Sequence, residues 1–427
     1  MLLVVLAVLI VIAGFAFIRH LIDFPVYYAA GQSLRSGRTD LYAPDFALGR
    51  VMDYRYPPFF LLAFWPVWLL PYKVAAYLWY LLGIAEIAGM VFSIRRARRI
   101  AKEKNRLWVV VGFAVTPYFI AILHYGNAHL LAIFLMFAAC ALAFNQKQVL
   151  AGLAMASAIA IKLTPALLLP YFAIKRQWRL LASVVTLLAF IYVAPATYFG
   201  FAKNNELLKQ WFEHVVVSQE FHEANGPINL SLKGQLRRTF STVDYSQRVD
   251  GDVQYPAVNL ASVPQSQIDL VWIAVSVLAG LAVFGLLVYI SRIRRAGDGG
   301  RVFGETFALE IGLLICLMLF VGPLTSKIYF IALLWPVTAL ATFAFDHVTP
   351  QAKRVRALLI FIAAINSVLP LLPGRWLQRW LLVLGVDFYV NLLLLLALGY
   401  VLFAVYRHAG SRSGEPQSSS PLTARTS

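Results

Sequence analysis

The chain has 427 residues, 60% of them hydrophobic and 13% charged, with a mean hydropathy of +0.72. Repeated apolar runs of about 18 or more residues exclude a water-soluble globule and read as membrane helices. The net charge of +17 is scattered over short loops between those runs, a mark of membrane topology and not of a nucleic-acid-binding face.

In chain order the apolar runs predict twelve membrane segments, at roughly 1–20, 73–94, 107–123, 127–144, 149–161, 164–176, 179–199, 268–291, 306–322, 327–345, 356–372 and 387–406. The first run lacks the basic start of a secretory signal and is followed closely by Asp23, so it reads as a retained helix. A short helix is expected after Pro25. Beyond Tyr54-Arg55-Tyr56-Pro57-Pro58-Phe59, an apolar stretch ends at Pro71, too short and proline-rich to span easily, so a re-entrant or surface-lying element is expected.

Three basic clusters fix the orientation. Arg95, Arg96, Arg98, Arg99, Lys102, Lys104 and Arg106 should be cytoplasmic, as should Arg292, Arg294, Arg295 and Arg301, and Lys353, Arg354 and Arg356. They agree only if residues 149–176 form two segments, with the break at Ile161-Lys162-Leu163-Thr164-Pro165, where a charge and a proline interrupt the run. Each half is then about 20 Å of helix against a hydrocarbon core of about 30 Å. Such short segments survive only where protein or water replaces lipid, so Lys162 is expected to line a cavity open to the outer face. The alternative is one tilted helix with a snorkelling Lys162, which would put the 292–301 loop outside.

This topology leaves outer loops at 23–72 and 200–267. Within the second, Asn204 to Glu220 carries Leu207, Leu208, Trp211, Val215 and Val216 near helical spacing, the pattern of an amphipathic helix on the membrane surface. Residues 373–386, with Trp376 and Trp380 beside Arg375 and Arg379, read as another interfacial anchor. Residues 1–407 are thus expected to form one membrane domain and 408–427, rich in Ser, Thr, Pro and Gly, a disordered cytoplasmic tail. Cys140 and Cys316 lie within apolar runs and imply neither a disulfide framework nor a thiolate metal site.

Asp23, His129, Lys162, Arg237, Arg238 and Lys327 all fall on the outer side. A carboxylate among cations suits transfer of a sugar from a lipid phosphate: the carboxylate takes the acceptor's proton and the cations stabilise the departing phosphate. Each residue also has a plainer reading. Asp23 could cap the helix after Pro25, Lys162 could be structural, Arg237 and Arg238 could attract lipid headgroups, His129 could be a helix-end polar group, and Tyr54, Arg55 and Tyr56 could anchor the loop. Asp250-Gly251-Asp252 matches the metal-binding Asp-x-Asp pattern of soluble glycosyltransferases but equally forms a turn.

Several strings in order carry a resemblance. They are Asp23-Phe24-Pro25-Val26-Tyr27-Tyr28-Ala29-Ala30-Gly31 with Leu41-Tyr42; Tyr56-Pro57-Pro58 with Pro66 and Pro71; and Gly126-Asn127-Ala128-His129. Ala151-Gly152 with Lys162 and Pro165, Arg176-Gln177-Trp178-Arg179, and Asn229-Leu230-Ser231-Leu232 with Gly234 and Arg237 complete the set. Together they resemble glycosyltransferase family 87, whose members are GT-C-type multi-pass enzymes and include the mannosyltransferases of actinobacterial phosphatidylinositol mannoside assembly. Two segments depart from the family pattern. Gly126-Asn127-Ala128-His129 stands in place of Gly-Gln-x-Asn, and Gly322-Pro323-Leu324-Thr325-Ser326-Lys327-Ile328-Tyr329 in place of a Ser-Pro segment followed by Trp and paired His.

The resemblance implies an all-α, GT-C-like polytopic bundle in a bacterial plasma membrane with its active site facing out. It implies an inverting hexosyltransferase that moves a hexose such as mannose from a polyprenyl monophosphate to a glycolipid or glycan acceptor. Asp23 would be the catalytic base, Lys162, Lys327, Arg237 and Arg238 the donor-phosphate residues, and Tyr27, Tyr56, Asn127, His129 and Asn229 substrate-binding residues. The polyprenyl-phosphate sugar is a substrate, and no cofactor, metal or nucleic acid is expected; the surrounding partners are membrane lipids. The competing reading is a transporter or flippase of a lipid-linked or anionic substrate, since broken helices and buried charges also suit transport; the two long outer loops favour the enzyme.

Overall fold

Three short helices between residues 24 and 68 precede the long ones. In the computed structural model, residues 12–43, 45–47, 53–97, 105–217, 226–241, 255–297, 303–304 and 306–412 are described. The expected first span is therefore described only from residue 12, where residues 12–17 are helical. Asp250-Gly251-Asp252, Arg98, Arg99, Lys102, Lys104, Arg301 and residues 413–427 of the tail lie outside the described residues.

These short helices are α1 (Phe24–Arg35), α2 (Pro58–Ala63) and α3 (Trp65–Trp68). The long helices follow as α4 (Tyr72–Ala97), α5 (Asn105–Tyr125), α6 (His129–Phe144) and α7 (Gln148–Ile161). A 3-10 turn at Thr164–Leu168 leads into α8 (Leu169–Ile174), then α9 (Trp178–Val193), α10 (Ala196–Phe199) and α11 (Phe201–Trp211). The second half holds α12 (Leu232–Phe240), α13 (Gln265–Gly297) and α14 (Phe307–Val321), a 3-10 helix at Lys327–Leu333, then α15 (Leu334–Asp346), α16 (Pro350–Val368), α17 (Arg375–Leu384) and α18 (Val386–Arg412).

Seven of these stretches are long and apolar enough to cross a bilayer, and four shorter apolar helices, His129–Phe144, Gln148–Ile161, Thr164–Ile174 and Phe307–Val321, stand beside them. Each of the eleven expected spans after the first coincides with one of these helices. The protein is an all-α polytopic membrane protein. Among the shorter helices α14 is enclosed by protein: every residue from Phe307 to Phe320 is buried, as expected of a helix that is apolar all round.

The break at Lys162 is present. Helix α7 ends at Ile161 and Lys162 is extended, at φ −148° and ψ 129°; Pro165 then sits in the first turn of the next helix, where its missing N–H breaks no ladder bond. The other end of the half-span is anchored. Lys175 Nζ lies 2.8 Å from Glu310 Oε2 with both side chains buried, and Glu310 also accepts from Tyr171 and Thr306, at 2.9 and 2.7 Å. The turns closing α6 and α8 are alike: Gln146 and Arg176 both adopt positive φ, and the following amides, Lys147 and Gln177, each bond back five residues at 2.9 Å.

Packing divides the helices into two groups. Helix α6 packs on α4 and α7, and α7 on α9; α5 packs on α15 and α16, and α14 on α15 and α18. The groups meet where the two 3-10 helices contact α6, α7 and α14. The short helices α1 to α3 have a core of their own, in which Phe24, Tyr27, Phe60, Trp68 and Trp79 are buried together.

The outer helix predicted over Asn204–Glu220 is α11, continued by a π-helical turn at Phe212–Val217. Its inner face does not lie on lipid. Leu207 and Trp211 are buried, and Trp211 Nε1 donates to the Arg55 carbonyl at 3.3 Å, fastening the 200–267 loop to the 23–72 loop. Phe201 and Phe212 face outward instead. Helix α17 agrees with the expected interfacial anchor, with Trp376 exposed and Val383 tucked inward.

Candidate active site

Asp23 occupies the N-cap position of α1, but its carboxylate makes no capping bond. The capping reading thus loses its physical basis, because a cap acts by accepting from the first helical amides. The carboxyl is instead buried and accepts from Asn127 Nδ2 at 2.8 Å, across 104 positions of sequence. The backbone locks the same register, with the Asp23 amide donating to the Tyr125 carbonyl at 2.9 Å.

The turn that presents Asn127 requires glycine. Gly126 has φ +61°, and a Cβ there would lie 3.0 Å from Leu21 Cδ2 and 3.2 Å from Phe24 Cβ. Its carbonyl is held by Trp79 Nε1 at 2.9 Å.

The orientation of the Asn127 amide follows from its partners. The His129 amide can only donate and reaches Asn127 Oδ1 at 2.7 Å, so the oxygen faces inward and the NH2 is left for the carboxylate. Tyr56 OH also donates to Oδ1, at 3.3 Å, and Tyr27 OH lies 3.0 Å from Tyr56 OH. A directed chain therefore runs from Tyr27 through Tyr56 and Asn127 to Asp23. Burial, with the nearby Asp23 charge adding to it, pushes both phenols well above their ordinary range. They stay protonated and serve as donors, not bases.

Lys162 approaches from the broken span. Its ammonium lies 3.1 Å from the centroid of the Tyr329 ring, within electrostatic range of Asp23 and Arg55. His129 adjoins the same ring, with the two centroids 4.4 Å apart. Among the described residues Lys162 makes no ion pair. Lys327 opens the 3-10 helix that carries Tyr329, placing a second cation two residues from that ring.

Asp23, Tyr27, Tyr56, Asn127, His129 and Lys162 are thus brought together. Arg237, Arg238 and Asn229 are committed elsewhere. Arg237 forks onto Asp269, with Nη2 2.9 and 2.8 Å from the two carboxylate oxygens, and Lys233 joins the same carboxylate at 3.4 Å. Arg238 is buried and spends its guanidinium on the carbonyls of Val383, Gly226 and Asn229. Asn229 clamps the 322–326 segment, donating to the Pro323 carbonyl at 3.1 Å and accepting from the Thr325 amide at 3.2 Å. These three staple the 226–241 segment to the bundle.

Two site neighbours stand outside the residues assigned from the sequence. Tyr329 closes the departing 322–329 segment and, with Lys327, stands where the family's histidine pair is expected. Arg55 reads as a loop anchor, yet its charge is felt by both Lys162 and Tyr56.

The family model of glycosyltransferase family 87 matches residues 54–319, more than half of the chain. The chain belongs to glycosyltransferase family 87. The matched stretch contains Tyr56, Asn127, His129, Lys162, Asn229, Arg237 and Arg238, while Asp23 and Lys327 flank it. Among curated proteins it is similar to a polyprenol-phosphate-mannose-dependent alpha-(1-2)-phosphatidylinositol pentamannoside mannosyltransferase of Mycolicibacterium smegmatis, 30% identical over 172 residues, which is 38% of this chain and 40% of that protein. A protein of the same description from Mycobacterium tuberculosis is 30% identical over 186 residues, 41% of each chain. The chain thus spans about two fifths of the length of these relatives. No solved structure matches it significantly.

Proposed function

We propose that this family 87 protein is an inverting hexosyltransferase that moves a hexose from a polyprenyl monophosphate to an acceptor hydroxyl at the outer face of a bacterial plasma membrane. Mannose is the first sugar to test and a phosphatidylinositol-based glycolipid the first acceptor, since the names of both relatives carry them. The observation that carries the reading is the Asp23 carboxylate, held by Asn127 instead of capping its helix, with Lys162 in electrostatic range.

Asp23 takes the proton of the acceptor hydroxyl. The oxygen attacks the anomeric carbon from the side opposite the phosphate, the C–O bond to phosphate breaks, and its electron pair leaves on the lipid phosphate. Lys162 and Lys327 stabilise that growing charge. Asn127 fixes the base, and Tyr27 and Tyr56 fix Asn127.

The test is incubation of purified protein with radiolabelled polyprenyl-monophosphate hexoses and phosphoinositide lipids. A labelled glycolipid is expected from the mannosyl donor; movement of intact donor across vesicles with no glycosidic product would favour a transporter. The outward orientation is tested by cysteine labelling in a background without Cys140 and Cys316. A cysteine at exposed Leu163 should react with an impermeant thiol reagent from outside, and one at exposed Arg176 from the cytoplasmic side. Labelling of both from one side would contradict the split span.

A further inference from the structure

We propose that Tyr329 is a positioning residue for the lipid donor: its ring holds the Lys162 ammonium where the departing phosphate gathers charge, and does so without neutralising it. This rests on the transferase reading above. Three observations carry it.

The first is that Lys162 needs a holder and has a particular one. It stands where α7 stops, extended at φ −148° and ψ 129°, so no helical turn of its own confines its long, flexible stem. Its ammonium lies 3.1 Å from the centroid of the Tyr329 ring, and among the described residues it makes no ion pair. A desolvated aromatic face attracts a cation through its quadrupole and takes neither its charge nor its proton. A carboxylate, such as Glu310 at 2.8 Å from Lys175, would cancel the charge instead. The distinction bears on the reaction. The donor is a phosphodiester with one negative charge, and when its bond to the anomeric carbon breaks, the electron pair leaves a monoester with two. A lysine that keeps its charge stabilises the second more than the first.

The second is that the ring itself is fixed. The Tyr329 amide donates to the Ser326 carbonyl at 2.9 Å, and Ile328 and Phe330 on either side are buried. Phe330 stacks on Tyr118 with centroids 5.7 Å apart, and the Tyr118 hydroxyl donates to Asp387 at 2.9 Å. Upstream, Asn229 clamps Pro323 and Thr325.

The third is that the ring also adjoins the support of the base. His129 lies 4.4 Å from it, centroid to centroid. The His129 amide donates to Asn127 Oδ1, and Asn127 Nδ2 donates to Asp23. One run of contacts, Asp23 to Asn127 to His129 to Tyr329 to Lys162, thus sets the spacing between base and cation. That spacing must suit an acceptor oxygen and a leaving phosphate on opposite sides of one carbon.

The experiment places phenylalanine and its monofluoro, difluoro and trifluoro analogues at position 329. Fluorine draws electron density off the ring face with little change in size, so packing is kept while the hold on the ammonium weakens step by step. The Kd of polyprenyl monophosphate and the kcat of mannosyl transfer are measured for each. Tyr329→Phe should stay within about threefold of wild type, and the trifluoro analogue should weaken binding and lower kcat by about tenfold relative to Tyr329→Phe. In a Lys162→Met background the dependence on fluorine should vanish, because a residue that acts through Lys162 has nothing left to act on. A ring that merely fills space would show no dependence on fluorine, and that result would overturn the proposal. A dependence that persists unchanged in Lys162→Met would overturn it as well. A fluorine trend in polyprenyl monophosphate binding by protein that forms no glycosidic product would leave Tyr329 as the holder of Lys162 and overturn the transferase reading alone.

Discussion

Lys162 and Lys175 stand at the two ends of one half-span and meet opposite fates. Lys175 is neutralised by Glu310, whose remaining lone pairs take Tyr171 and Thr306. Lys162 rests on the face of Tyr329 with no ion pair among the described residues. A buried charge that is paired and hydrogen-bonded is finished as structure, whereas a charge set against a ring beside a carboxylate is available to an anionic substrate. The same contrast separates Lys162 from Arg237, which Asp269 already satisfies.

The largest expected effect breaks the structural end. Glu310→Gln leaves the Lys175 charge buried without its partner and should cost about 3–5 kcal/mol of stability, measured by denaturant unfolding in detergent. The double variant Glu310→Leu/Lys175→Met should recover most of that loss. If Glu310→Gln unfolds no more readily than wild type but fails to bind donor, the two ends have been assigned the wrong way round.

Next in size is the chemical end. Lys162→Met should lower turnover and donor affinity by about tenfold to a hundredfold, the worth of a charge-assisted contact of about 1.5–3 kcal/mol, with little change in unfolding. Unchanged kinetics would remove Lys162 from the site. The smallest effect is expected at Arg237→Met, whose partner Asp269 is partly exposed. It should lose about 1 kcal/mol or less and change donor affinity less than twofold. A loss of donor affinity as large as that of Lys162→Met would return Arg237 to the phosphate site.

The sequence made some of this legible because local chemistry announced it. Lys162-Leu163-Thr164-Pro165 breaks a helix by itself, and eleven apolar runs can be read one by one. Tyr27, Tyr56, Asn127 and His129 were legible through the strings that resemble the family, not through their own local chemistry. What could not be read were long-range commitments. Arg237 meets Asp269 across 32 positions, and Arg238 meets backbone carbonyls, which leave no signature in residue types. Nor does spacing reveal that α11 turns Leu207 and Trp211 onto the first loop instead of the membrane, because an amphipathic face looks the same against protein or lipid.

The most direct test of the account is transfer by Asp23→Asn. The amide keeps the shape of the carboxylate but cannot take a proton, so turnover should fall by about a hundredfold or more while the donor still binds. A normally folded Asp23→Asn protein that transfers sugar at the wild-type rate would contradict the assignment of Asp23 as the base.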